Sequence, residues 1–104
     1  MKKVIAIDLD GVICSEEKTF EKPLAVVLPG AVEGINSLFN AGHTIIIWTA
    51  RGWEQFRVTE FWLKNNGINY HSLLMGKPIV DLFIDDRGLR FEKWPIHLPW
   101  NDIL

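Results

Sequence analysis

The sequence is poor in the residues that would tie it down chemically from outside its core. Its 104 residues include one cysteine, Cys14, so no internal disulfide can form. The three histidines, His43, His71 and His97, are scattered without metal-ligand spacing, which excludes the common Cys/His zinc sites. Cys14 has no histidine nearby to activate it and is not expected to act as a nucleophile. A basic excess is also missing. The formal net charge is -2, so there is no general electropositive surface for a polyanion, and nucleic acid is not the expected partner. Long hydrophobic runs are absent at the start of the chain, where the stretch behind two lysines stops at Asp8. That is too short for a signal-peptide core or a membrane span, and the expectation is a cytoplasmic protein with no membrane partner. No repeat, low-complexity tract or linker divides the sequence, and its length fits a single domain over residues 1–104.

What is present is a regular alternation of short apolar runs. Residues 3–9 contain Val4, Ile5, Ala6, Ile7 and Leu9, a pattern expected of a strand buried on both faces of a parallel sheet. Residues 11–28 lack periodicity and read as a loop or small hairpin. Pro29-Gly30 then opens a helix with Val32, Ile35, Leu38 and Phe39 on one stripe, closed by Gly42. "HTIIIWTARG" predicts a second buried strand over Thr44 to Trp48 and a polar turn. A second helix follows over roughly 54–65, with Phe56, Phe61, Trp62 and Leu63 available for burial and Asn66-Gly67 as its end. "NYHSLLMG" predicts a short third strand and "VDLFIDDRG" a fourth. The remainder, rich in Trp and Pro, is expected to wrap the domain edge. Of the five tryptophans, Trp48 and Trp62 are expected inside, with Trp53, Trp94 and Trp100 as candidate contacts for a carbohydrate or a partner.

Strands alternating with helices imply an α/β fold with a central parallel sheet and right-handed crossovers. Ligands in such folds bind beyond the carboxyl ends of the strands. Asp8 and Asp10, Thr49 and Arg51, and Asp85 and Asp86 each follow an apolar run, so one end of the sheet collects them. Carboxylates gathered in this way repel unless a cation compensates, and an all-oxygen set suits magnesium.

"DLDGV", "TAR", "GKP" and "IDDR", in that order, resemble the four motifs of the haloacid dehalogenase (HAD) superfamily, over residues 4 to about 91. The resemblance implies a three-layer Rossmann-like fold, here minimal and without a cap domain, and a magnesium-dependent phosphomonoesterase. It assigns Asp8 as the nucleophile that becomes phospho-aspartate and Asp10 as general acid and base, whose neighbours should raise its pKa. Thr49, Ala50 and Arg51 would bind the phosphate, and Lys77 would neutralise charge. Asp8, Asp10, Asp85 and Asp86 would hold the metal, with Asp86 favoured over Asp85 as the direct ligand. Within the superfamily the sequence looks similar to small capless phosphatases of capsule and polysaccharide biosynthesis, which implies a sugar phosphate or related small ester as substrate. It also resembles the phosphatase half of polynucleotide kinase–phosphatases. A catalytically weak phosphate-binding module and a receiver-like phosphoacceptor are the readings from other classes. An open site could be covered by a second copy of the chain, or by a flap from residues 11–28 with Phe20 and Leu28 as contacts.

One departure from the motif pattern bears on all of this. Only a few residues separate "LLMG" from "DLFIDD", whereas a parallel crossover usually takes a dozen or more.

Overall fold

The computed structural model describes residues 2–100; the side chains of Thr19 and Phe20 lie outside the described set, and with them the expected role of Phe20. Strands β1 (Val4–Asp8), β2 (Thr44–Trp48) and β3 (Ser72–Leu74) alternate with helices α1 (Ala31–Asn40) and α2 (Phe56–Asn65). The sheet order is β1-β2-β3, and both pairings are parallel. Ile5 pairs with Ile45, Ile7 with Ile47 and Asp8 with Trp48, so the odd positions of β1 and β2 share one face. That face is the core. Ile7, Leu9, Ile45, Ile47 and Leu73 are buried there in one cluster with Ile35 and Leu38 of α1 and Trp62 and Leu63 of α2. Right-handed crossovers running in one direction across a sheet place successive helices on the same side, and both helices contribute to this cluster.

The helix boundaries follow from local chemistry. Gly30 precedes α1 at φ 82°, a left-handed conformation that residues with a Cβ avoid, and Gly42 ends the turn after it at φ 95°. The second helix starts a little later than its apolar pattern suggests, because residues Trp53–Gln55 form a tight 3-10 turn first. Its buried side is Thr59, Trp62 and Leu63, at helical spacing; Phe61, expected inside, falls outside that stripe and is exposed.

The opposite face of the sheet is open. Val4, Ala6 and Thr44 are exposed, and Ile46 and Trp48 are only half-buried. The expectations that β1 is buried on both sides and that Trp48 lies inside are therefore not met. A second helical layer requires the chain to return to the free side of β1 and wind the other way, and no described segment does so. "VDLFIDDRG" is not a strand here. Residues 79–84 carry no regular secondary structure and are largely exposed, Ile79 to 88% and Ile84 to 91%, with Phe83 tilted against the Trp48 ring at 6.4 Å.

The chain beyond it does wrap the core, as expected. Trp94 is buried against Gly30 and Gly34, and its indole N–H donates to the Val12 carbonyl at 2.8 Å. It is thus a structural plug and not a surface contact. Residues 11–28 form a small hairpin-like loop tied by Ser15 N–H to Val26 O and Leu28 N–H to Ile13 O, both at 2.8 Å. Trp62 anchors it further by donating from its indole N–H to the Ala25 carbonyl.

Candidate active site

The carboxyl ends of β1 and β2 deliver their polar residues together, as the topology requires. Asp8 ends β1, and its Oδ1 accepts the Leu9 N–H at 2.8 Å. Its Oδ2 accepts from Lys77 Nζ at 3.1 Å, across 69 positions of sequence. Lys77 reaches this place because the turn after β3 is pinned over the end of β2. The Lys77 N–H donates to Thr49 O at 2.8 Å and the Gly76 N–H to Arg51 O at 2.9 Å, and Gly76 adopts φ 78° to allow the turn. The ammonium lies 5.1 Å from the Trp48 ring centroid and 5.0 Å from that of Phe83, within reach of cation–π attraction to both.

Asp10 is held quite differently. Arg51 grips it with two parallel bonds, Nε to Oδ2 at 2.9 Å and Nη2 to Oδ1 at 2.8 Å, and Lys22 Nζ adds a third at 3.1 Å. Arg51 is buried, and its remaining nitrogen Nη1 donates to Thr59 Oγ1 at 2.9 Å. Burial by itself would push the Asp10 carboxyl up, but the bonds and charges of Arg51 and Lys22 outweigh it and hold the group below the usual 3.8. The expected upward shift at Asp10 is therefore reversed. The guanidinium fork expected to face phosphate is occupied by Asp10. Thr49 is buried, its Oγ1 accepting the Arg51 N–H at 3.1 Å, while Ala50 is exposed at the same turn.

Cys14 lies beneath this pair. Burial and the Asp10 charge push its thiol up to about 12, so it is inert as a thiolate nucleophile at neutral pH.

Asp85 and Asp86 do not join the cluster. Asp85 Oδ1 instead accepts the N–H groups of Arg87 at 2.7 Å and Gly88 at 2.6 Å, and these bonds lower its pKa. Asp86 is exposed, with Arg87 Nε 3.8 Å away. Among the described residues no group of three or more His, Cys, Asp or Glu side chains is arranged to hold a metal ion. With Asp85 and Asp86 apart from them, Asp8 and Asp10 are the carboxylates at the strand ends that could meet a magnesium ion, which needs one or two of them beside water and phosphate oxygens. The separation arises because the fourth strand is not on the sheet and so does not carry its aspartates to Asp8.

Three participants escaped the sequence reading. Lys22 sits in a charged run that gives no sign of which lysine turns inward. Thr59 could have been found as the one polar residue on the buried stripe of α2. Trp48 carries the Lys77 ammonium because its face of the sheet is open. A cavity of about 690 Å³, lined by Phe39, Arg57, Phe61 and Tyr70 among others, contains none of these aspartates.

No family model matches the chain. The chain is 30% identical over 103 residues to the ubiquitin-like domain-containing CTD phosphatase of Arabidopsis thaliana, covering 95% of this chain and 29% of that protein. It therefore spans less than a third of that relative. A structural-genomics target from Vibrio cholerae superposes with a TM-score of 0.72 at 25% identity, over 86% of this chain and 84% of its own. The D,D-heptose 1,7-bisphosphate phosphatase of B. bronchiseptica, solved with magnesium and phosphate, superposes with a TM-score of 0.57 at 24% identity, over 72% of this chain and 49% of its own. The chain has the haloacid dehalogenase-like fold. Its HAD-like core is a compact three-stranded parallel α/β arrangement, and among the described residues no cap domain is inserted into it. The named relatives with this fold are phosphatases.

Proposed function

We propose that the chain hydrolyses phosphate monoesters through a phospho-aspartate on Asp8. The observation that carries this reading is the Asp8–Lys77 contact at 3.1 Å beside an Asp10 held ionised, at the strand ends where HAD-like folds do their chemistry. An Asp8 carboxylate oxygen attacks phosphorus in line, the ester P–O bond breaks, and the leaving oxygen takes up a proton from solvent water. A water molecule then attacks the acyl phosphate, releasing inorganic phosphate and restoring the carboxylate. Lys77 offsets the meeting of two anions in the first step. Asp10, kept ionised by Arg51, is in the form needed to accept the proton of the attacking water. For it to protonate a leaving alkoxide, the Asp10–Arg51 pair must first loosen and the carboxylate take up a proton from solvent. Esters whose leaving groups depart as stable anions escape that requirement. Ala50, exposed at the turn after β2, and Lys77 supply the face toward the phosphate, with buried Thr49 fixing the turn.

Magnesium is the cofactor this reading calls for, and Asp8, 35% exposed at its side chain, is the carboxylate placed to meet it. The open site and acidic balance favour a sugar phosphate or similar small ester. The test is turnover of an aryl phosphate and a panel of sugar phosphates with and without magnesium. Magnesium-dependent release of phosphate that disappears in Asp8→Asn supports the reading. Phosphate binding with no turnover across the panel would replace it with a phosphate-binding module.

A further inference from the structure

Lys77 meets more than Asp8. Trp48 stands opposite Asp8 in the β1–β2 register and opposite Leu74 in the β2–β3 register, on the open face of the sheet, so its ring lies beside the Asp8 side chain. Phe83 comes to the same place from the irregular run after Lys77, its ring centroid 6.4 Å from that of Trp48 and the two planes tilted by 48°. The Lys77 ammonium sits over both rings, 5.1 Å from the Trp48 centroid and 5.0 Å from that of Phe83, and 3.1 Å from Asp8 Oδ2. Phe83 stays 47% exposed, while Lys77 keeps only 18% of its side chain in solvent. An apolar ring left half in water over a mostly covered cation packs against that charge rather than into the core.

The ion pair alone would not fix this ammonium. Lysine carries its charge on a flexible hydrocarbon stem, and a lone pair with a carboxylate as open as that of Asp8 is worth little. The pair is also lost in the reaction itself. Once an Asp8 oxygen has bonded to phosphorus, the carboxylate charge has passed to the phosphate oxygens, whereas the quadrupoles of the two rings are unchanged. Ring faces can therefore keep the ammonium in place at the moment when Asp8 no longer does.

We infer that Trp48 and Phe83 are positioning residues whose two ring faces clamp the Lys77 ammonium beside Asp8 and hold it there whether or not the Asp8 carboxylate is charged. This gives the exposed run 79–84 a task, since that run delivers Phe83 to the site. The clamp rests on the contacts alone; only its effect on turnover rests on the phosphatase reading.

The clamp can be read without turnover from the Cε methylene protons of Lys77 in a proton–carbon correlation spectrum, assigned by their loss in Lys77→Met. Ring currents should place them upfield of the other lysines. They should stay there in Asp8→Asn and move back toward the others in Phe83→Leu. An ordinary lysine position in the wild-type protein, or a return to it in Asp8→Asn, would overturn the inference. Turnover of an aryl phosphate with magnesium tests the consequence. Phe83→Leu should lower kcat about fivefold with KM held within about twofold, and Phe83→Tyr, which keeps a ring face, should recover it. Monofluoro-, difluoro- and trifluorophenylalanine at position 83 keep the shape of the ring but withdraw charge from its face, so kcat should fall in that order. A flat series, or a loss in Phe83→Leu that Phe83→Tyr does not recover, would overturn the positioning role. A Lys77 signal that behaves as expected in a protein with no turnover would sink the phosphatase reading and leave the clamp standing.

Discussion

The apolar run of β1 and the run over residues 79–84 are alike in composition and opposite in fate. Ile7 and Leu9 disappear beneath α1 and α2, while Ile79 and Ile84 stand in solvent. The same contrast holds for the acidic residues that follow each run. Asp8 and Asp10 meet Lys77, Arg51 and Lys22 at close range, whereas Asp86 has 89% of its side chain exposed. The difference lies in the connections. Between β1 and β2 the chain has 35 residues, including all of α1, in which to cross over and come back parallel. Between Lys77 and the second run it has almost none. Apolar character makes a segment fit for a sheet, but it does not by itself place the segment on one.

The sharpest way to break the comparison at the catalytic end is Asp8→Asn, which should reduce phosphomonoester turnover by about 10³-fold or more while leaving the fold intact. A chain that keeps its turnover has its nucleophile elsewhere.

Arg51→Ala comes next, tested through stability. It leaves a half-buried Asp10 carboxylate with Lys22 as its one remaining cation and should cost about 3–5 kcal/mol in urea unfolding. A loss near zero would mean that the buried pair does not hold the hairpin to the sheet. Gly34→Ala is the packing counterpart. A Cβ there would lie 2.5 Å from the Trp94 ring, so overpacking should outweigh the better helix propensity of alanine by about 1–3 kcal/mol.

The smallest expected effect is on pH. The folded pKa of Asp10 is held below its unfolded value, so its contribution is fully present above that value and is lost as pH falls through the folded one. The urea midpoint should therefore drop below about pH 4, and the part due to Asp10 should shrink in Arg51→Ala, where Lys22 alone still favours the carboxylate. An unchanged acid limb in that variant would contradict the assigned pairing.

Much of this was legible from the residues. The apolar periodicity marked β1, β2 and both helices, and Gly42 and Gly67 marked their ends. The polar residues after the first two runs, Asp8, Asp10 and Arg51, do lie at the strand ends, while Lys77 followed only from the family resemblance and Asp85 and Asp86 stand apart. The charge state of Asp10 was not legible, because it depends on which cations converge in space, and Arg51 faces inward to a threonine on a different element. The exposure of residues 79–84 ran against their composition. The short link after "LLMG" was visible, but its consequence emerged only once Lys77 was fixed at the Asp8 end of the sheet.

The account turns on where the phosphoryl group goes. Enzyme mixed with an aryl phosphate and quenched in acid can be reduced with borohydride, which converts an aspartyl phosphate to homoserine, and then digested and sequenced by mass spectrometry. The account predicts homoserine at position 8, and none after Asp8→Asn. Turnover with an unmodified Asp8 peptide, or a modified residue at any other position, would contradict it.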